Sequence, residues 1–318
     1  MSAGTLAEPP QQRGITPAYL GLVLIWSTTP LAMVVSLRDF DAVWALALRM
    51  ALAALLAHVV LRVAGLRLAL TGDALRRYAI GALSMYGAML FTYLGARHLP
   101  SGMVAVLFGL SPLVVGLLSF LVFRAVRFSA LQWLGLAVAV AGLAQIFLQG
   151  GKLASVDVPS VAFVLLGIVS YATSALWLKQ LPQALPPLVQ TTGALWLSAL
   201  AALATVPFLA EAAPLHWPSL PGALALVYSA ALGSIVAMLC YFFLLQRIEV
   251  GTMALTTLVT PVFALLLGMV FNHERFHAGI LWGMGLILLG LAAYYERELR
   301  RALAPLLRGE AGEVRVPE

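Results

Sequence analysis

Charge is what this chain has least of. Only 10% of its 318 residues are Asp, Glu, Lys or Arg, where a soluble domain carries about 25%. Hydrophobic residues make up 62% and mean hydropathy is +0.98. That shortage excludes a water-soluble globule and implies a polytopic membrane protein. Cysteine is nearly absent: Cys240 stands alone, so no intramolecular disulfide can form. The apolar runs do not alternate with polar residues, which excludes strands as the main element. Carboxylates are missing from mid-span, since all 13 acids fall in loops, tails or span ends. There is no HExxH, no GxSxG and no mid-span cluster of His, Asp and Glu. An intramembrane enzyme would lack its parts, and neither a metal nor a cofactor is expected. The net charge of +6 does not point to nucleic acid, because membrane proteins collect basic residues at cytoplasmic loops.

What is present is a series of apolar runs. A membrane span needs about 20 mainly apolar residues. Ten such runs occur, at 17–36, 42–62, 79–96, 101–123, 130–148, 160–178, 188–209, 220–245, 250–272 and 277–295. The first is longer than the apolar core of a signal peptide, so cleavage is not expected. Thr16-Pro17 reads as its start, a capping hydroxyl followed by proline at the first helical position. With both termini in the cytoplasm, only Arg38, Arg97, Lys152 and Arg275 lie outside, and Arg49 lies within a span. The remaining 14 of the 19 Lys and Arg residues are inside, a bias that favours this orientation.

The chain also says nearly the same thing twice. Ala88-Met89-Leu90 returns as Ala237-Met238-Leu239, 149 residues later. Gly102, Ala105 and Pro112 return at the same offset as Gly251, Ala254 and Pro261. One residue shorter, Arg127-Phe128, Gly135 and Gly142 match Arg275-Phe276, Gly283 and Gly290. A unit of five spans is odd, so its second copy enters the membrane upside down. The expected architecture is an all-α membrane protein of ten helices in an inverted 5+5 repeat, with the substrate site between the halves. The divisions expected are a tail at 1–16, a first unit at 17–148, a linker at 149–159, a second unit at 160–295 and a basic tail at 296–318.

Gly102-Met103-Val104-Ala105-Val106-Leu107 leading to Pro112, and Gly251-Thr252-Met253-Ala254 leading to Pro261, resemble the small-residue spans of the drug/metabolite transporter superfamily in its EamA-type branch. Glu274 with Gly283, Gly285 and Gly290 fits the family's acidic loop and glycine-bearing span, although Ala125 replaces the acid in the first copy. Trp26-Ser27-Thr28-Thr29-Pro30 resembles the family's opening. The resemblance covers about 17–295. It implies export or exchange of small metabolites, amino acids prominent among them, across a bacterial inner membrane.

Polar residues inside the membrane are the candidate site. Arg49 is the one charge expected mid-span. It reads either as a structural group bonded to carbonyls and hydroxyls, or as a cavity group that grips a substrate anion. Trp26, Thr28, Thr29, Tyr86, Tyr171, Ser174, Trp177, Trp196, Tyr241 and Thr257 are candidate substrate contacts on the same spans. Taken singly, each reads first as an interhelix packing or hydrogen-bond residue. Pro112 and Pro261, each after a hydroxyl residue, are candidate hinges. His58 is the lone histidine well inside a span, and it reads as satisfied within the fold. With no mid-span acid, facilitated diffusion or exchange is expected rather than proton coupling. Trp44, Tyr78, Trp133, Trp217, Trp282, Tyr294 and Tyr295 lie near span ends and read as interfacial anchors. Gly279 and Gly283 form a GxxxG that reads as a homodimer face or as packing within the bundle. The basic, partly apolar tail reads as lying on the inner leaflet. The expected partners are therefore a small-molecule substrate and lipid. The alternative to transport is a membrane scaffold or receptor with a vestigial cavity.

Overall fold

In lipid every backbone N–H and C=O must find its partner within the chain, and the helix satisfies this locally. The computed structural model describes residues 14–122, 128–148, 157–182, 185–211, 217–248, 250–276, 278–297 and 299–300, and among them no strand occurs. The helices are α1 (Ile15–Ser36), α2 (Ala42–Val63), α3 (Gly72–Ala96), α4 (Ser101–Leu121) and α5 (Ala130–Leu148). They continue with α6 (Val158–Gln180), α7 (Pro187–Leu209), α8 (Leu220–Leu244), α9 (Val250–Phe271) and α10 (Ala278–Tyr294). Each expected run falls on one helix. Seven of them, α1 to α4 and α6 to α8, are long and apolar enough to cross a membrane. The stretches Ala130–Ile146, Val259–Phe271 and Ala278–Tyr294 are apolar but shorter. Residues 1–13, the linker over 149–156, Ala125 and the basic tail beyond 300 lie outside the described residues.

Several ends differ from the sequence reading. The first helix starts at Ile15, not at Thr16-Pro17. Its N-cap is Gly14 with φ of 92°, and no side chain caps it. The third helix starts at Gly72, seven residues before the run expected at 79, because Thr71 accepts the N–H of Ala74 and begins a turn there. Arg77 is thereby inside a helix and buried, not in a loop. Tyr78 is no anchor either: it is buried, its ring fitted where Gly193 of α7 leaves out a side chain. Tyr294 and Tyr295 are buried as well, whereas Trp133, Trp217 and Trp282 are exposed. Asp41, Asp157 and Ser219 cap α2, α6 and α8 by accepting backbone N–H groups in the first turn.

Two features tie the halves together. The first is a glycine seam between α5 and α10, the most extensive helix contact described. A Cβ on Gly135 would come 2.6 Å from the Gly290 carbonyl, and one on Gly290 would come 2.5 Å from the Gly135 carbonyl. Gly142 and Gly283 stand in the same relation, at 2.6 and 2.7 Å. The low number on one helix meets the high number on the other, so the helices run antiparallel. Gly279 and Gly283 are both buried, and Gly283 is committed to Gly142 of the same chain. The second feature is a π-helical stretch in α3 at Leu83–Gly87 and another in α8 at Ser229–Val236. They end immediately before Ala88-Met89-Leu90 and Ala237-Met238-Leu239, the repeated tripeptide.

Overfilling the seam should separate α5 from α10. Gly283→Leu is expected to cost about 1–3 kcal/mol and to lower the unfolding midpoint of the detergent-purified protein. Gly285→Leu, two residues away with nothing within 4 Å, is expected to leave it unchanged. Equal midpoints would remove the seam as a stabilising contact.

Candidate functional site

The site is assembled around Arg49, seven residues into α2. Its side chain is buried, at 2% exposure. Nε donates to the Ser234 hydroxyl at 2.9 Å and Nη1 to the Tyr93 hydroxyl at 3.4 Å. The guanidinium carbon lies 5.9 Å from the Tyr93 ring centroid, within cation–π range. A Cβ on Gly233 would come 3.2 Å from Nη2 and 3.4 Å from the Thr29 hydroxyl, so this glycine keeps room for the charge. Gly233 and Ser234 belong to the π stretch of α8. A π turn widens the helix and re-aims its side chains, and here it turns a hydroxyl toward Arg49. Among the described residues Arg49 is in no ion pair.

A cavity of about 140 Å³ opens beside it. That is smaller than the roughly 300–1,000 Å³ of drug-sized sites. The first half contributes Arg49, Trp26, Thr29, Ser84, Thr92 and Phe108, and the second contributes Tyr171, Gly233, Ser234, Thr260 and Pro261. Three of the hydroxyls have already given their proton to a helix carbonyl: Thr29 to Ile25, Ser84 to Gly81 and Thr92 to Ala88, at 2.6–2.8 Å. They offer lone pairs to a ligand. Arg49 offers N–H groups. A cavity with one fixed cation and several acceptors suits a molecule bearing both a carboxylate and an ammonium.

The candidates separate into three groups. Arg49, Trp26, Thr29, Tyr171 and Pro261 line the cavity. Tyr241 stands behind it, with its ring centroid 5.7 Å from Trp26 and 6.0 Å from Tyr171. Of the others, those whose side chains are described are not among the lining residues. Thr28 bonds Tyr228 on α8, and Ser174 donates to the Ile80 carbonyl at 2.6 Å. Trp177 is 45% exposed on the outer surface of the bundle. Trp196 donates to His58 Nδ1 at 3.3 Å, which also satisfies that histidine within the fold. Tyr86 packs against the core, and the Thr257 side chain lies outside the described residues.

The two prolines are not equivalent. Pro112 stands at the second residue of a new helical segment, because α4 breaks at Gly109-Leu110. Pro261 lies inside the unbroken α9, where Thr260 returns its hydroxyl to the Thr256 carbonyl. The sequence reading missed the methionines altogether. Met33, Met50, Met85, Met89 and Met238 all line the cavity. Two of them sit in the repeated tripeptide, a signal that was visible but was read only as symmetry.

The loops beyond α1, α3, α7 and α9 are joined by ion pairs and by hydrogen bonds to charged side chains. Arg97 bridges Asp41 at 2.8 Å and Glu211 at 2.5 Å. Glu274 receives the Ser101 N–H at 2.8 Å, the Ser101 hydroxyl at 2.7 Å and the Gly102 N–H at 3.1 Å. The acid expected as a loop residue is thus the N-terminal cap of α4, supplied by the other half of the chain. Asn272 links it to Arg38.

The profile of the family described as "EamA-like transporter family" matches residues 14–148 and, a second time, 158–295. The chain belongs to this family. It is 25% identical over 303 residues to the "Uncharacterized inner membrane transporter YedA" of Escherichia coli strain K12, covering 93% of this chain and 96% of that protein. It is 24% identical over 277 residues to the "Uncharacterized transporter YoaV" of Bacillus subtilis strain 168, covering 86% and 93%. A protein of known crystal structure shares the fold, with a TM-score of 0.63 at 17% identity over 90% of this chain and 98% of that one. In this EamA-like chain both copies contribute walls to the cavity beside Arg49, so that site lies within both profile matches.

Proposed function

We propose that this EamA-like protein moves small zwitterionic or anionic metabolites, amino acids foremost, across the bacterial inner membrane by alternating access, as export or facilitated exchange. The ten helices are read as ten spans in an inverted 5+5 repeat with both termini cytoplasmic. The observation that carries the substrate class is the buried guanidinium of Arg49 facing acceptor hydroxyls in a cavity between the halves. The five methionines that complete the wall are flexible and polarizable, so the apolar part of the ligand is loosely specified. Among the described residues no carboxylate lines the cavity, which favours exchange over proton relay. Of the two prolines, Pro261 is the better hinge, because it interrupts the bonding of a continuous helix at the cavity wall.

Three outcomes test this reading. In proteoliposomes loaded with L-amino acids, Arg49→Gln should raise the half-saturating concentration about 10-fold or more, the loss of one charge-assisted bond. Unchanged saturation and rate would make Arg49 structural. Pro261→Ala should slow exchange several-fold with little change in saturation, while Pro112→Ala, at a segment start, should do less; the reverse order would discard the hinge. Single cysteines at Arg67 and Trp217, on a Cys240→Ser background, should label from opposite faces of the membrane. Labelling from one face would sink the inverted repeat.

A further inference from the structure

A second cavity, of about 230 Å³, lies along α6 and α8 at the end of the bundle that carries Arg62, Arg67, Arg76 and Arg77. Under the proposed topology this end is cytoplasmic. Arg77 of α3, Lys179 of α6, Gln190 of α7, and Phe242 and Gln246 of α8 and its C-terminal end line it, so both halves contribute. Arg77 is buried and donates to the Leu181 carbonyl at 3.0 Å and to the Pro182 carbonyl. Asp73 stands one helical turn before it. Among the described residues neither Arg77 nor Lys179 is in a salt bridge. Gln190 is buried and gives its amide N–H to the Arg77 carbonyl at 3.0 Å, while its Oε1 has no hydrogen-bond partner among the described residues.

The two cavities are neighbours along the same helices. The central one ends at Tyr171 on α6 and Met238 on α8, and the second begins at Leu178 and Phe242. Met238 and Phe242 are one helical turn apart, about 6 Å. The space between is filled by rings: Tyr241 contacts Trp26, Tyr171 and Phe242 at centroid distances of 5.7, 6.0 and 5.3 Å. Trp26 and Tyr171 face the central cavity, and Phe242 faces the other.

We propose that the second cavity is an anion-binding vestibule, in which Arg77 and Lys179 hold the substrate carboxylate before it passes the aromatic layer to Arg49. This rests on the reading of the substrate as a carboxylate-bearing metabolite. The vestibule is a site for one face only. Arg49 serves substrate arriving from either side, whereas Lys179 meets only substrate arriving from the inner face.

Lys179 is at an exposed helix end, so Lys179→Gln removes the charge with little risk to folding. The electrostatic arm needs no transport. On a Cys240→Ser, Gln246→Cys background in inside-out vesicles, we would compare modification by anionic and cationic methanethiosulfonates. Adding Lys179→Gln should lower the anion-to-cation rate ratio about fivefold, as expected for loss of a unit charge within a few ångströms. An unchanged ratio would overturn the vestibule. In the second arm, Lys179→Gln should raise the half-saturating L-amino-acid concentration about fivefold from the inner face and leave it unchanged from the outer face, with Lys179→Arg restoring it. Equal changes at both faces, or none, would also overturn it. Protection of the cysteine by phosphatidylglycerol in the vesicles but not by L-glutamate would assign the cavity to a lipid headgroup and overturn the carboxylate assignment. If the unaltered protein moves no amino acid while the reagent ratio still falls, the anion site stands and the amino-acid reading alone fails.

Discussion

A guanidinium buried in a lipid-embedded bundle, with no carboxylate among the described residues to pair with it, sets the terms for the rest of this structure. Desolvating a charge costs several kcal/mol even after the surroundings relax, so Arg49 needs partners. The chain supplies neutral ones: the Ser234 hydroxyl, the Tyr93 hydroxyl and the Tyr93 ring face. Each reduces the penalty without cancelling the positive field. An aspartate or glutamate in the same place would lower the energy of the empty site and close it to an anion. The π stretch of α8 follows from this requirement, because it brings Ser234 to Arg49 while Gly233 leaves space beside Nη2. The cavity therefore suits the proposed carboxylate-bearing substrate, which would bring the counter-charge that the described residues do not supply.

The repeat is real in sequence, yet its two copies have been put to different uses. Both carry a π stretch before the same tripeptide, and both give that tripeptide's methionine to the cavity. Among the described residues the charge comes from the first half, and of the two hydroxyls that hold it Tyr93 belongs to the first half and Ser234 to the second. The fourth helix breaks at Gly109-Leu110, whereas the ninth runs through Pro261. Glu274 of the second half caps the first-half helix at Ser101, and Ala125 holds no acid that could return the contact. Matching sequence between halves therefore does not mean matching mechanics.

The helices were legible because their length and apolarity are written directly in the chain. The third helix was cut short by the sequence reading because Arg76 and Arg77 made its first turns look like loop. In the structure Arg77 is answered by the Leu181 and Pro182 carbonyls, which sequence distance hides. The site was legible only in part for a different reason. A helix that is apolar all round gives no amphipathic signal, so nothing in the pattern separates cavity from lipid. Trp26 and Thr29, three apart, share a face and both reach the cavity, while Thr28 points to Tyr228. Tyr171 and Trp177, six apart, lie on different faces, and one lines the cavity while the other is exposed. Residue type marked all of these alike, and only the phase of each helix distinguishes them. The methionines were passed over because an apolar side chain in an apolar span carries no contrast.

The contacts at the two ends of the bundle differ in kind, and that difference bears on what can move. At the end holding Arg97 and Glu274, the halves are joined by polar contacts. Glu211, which bridges to Arg97, is 74% exposed on its side chain. An exposed pair of this sort is worth about 0–1 kcal/mol, so water can replace it as the loops separate. The α5–α10 seam is the opposite case. Its glycine carbonyls lie so close to the facing helix that no side chain could be inserted between them. Separating those backbones would open a void in lipid with nothing of the right size to fill it. Under the proposed alternating access, motion that exposes the cavity is therefore cheapest where the loops are held by charge, with the glycine seam as the fixed side about which the other helices would turn.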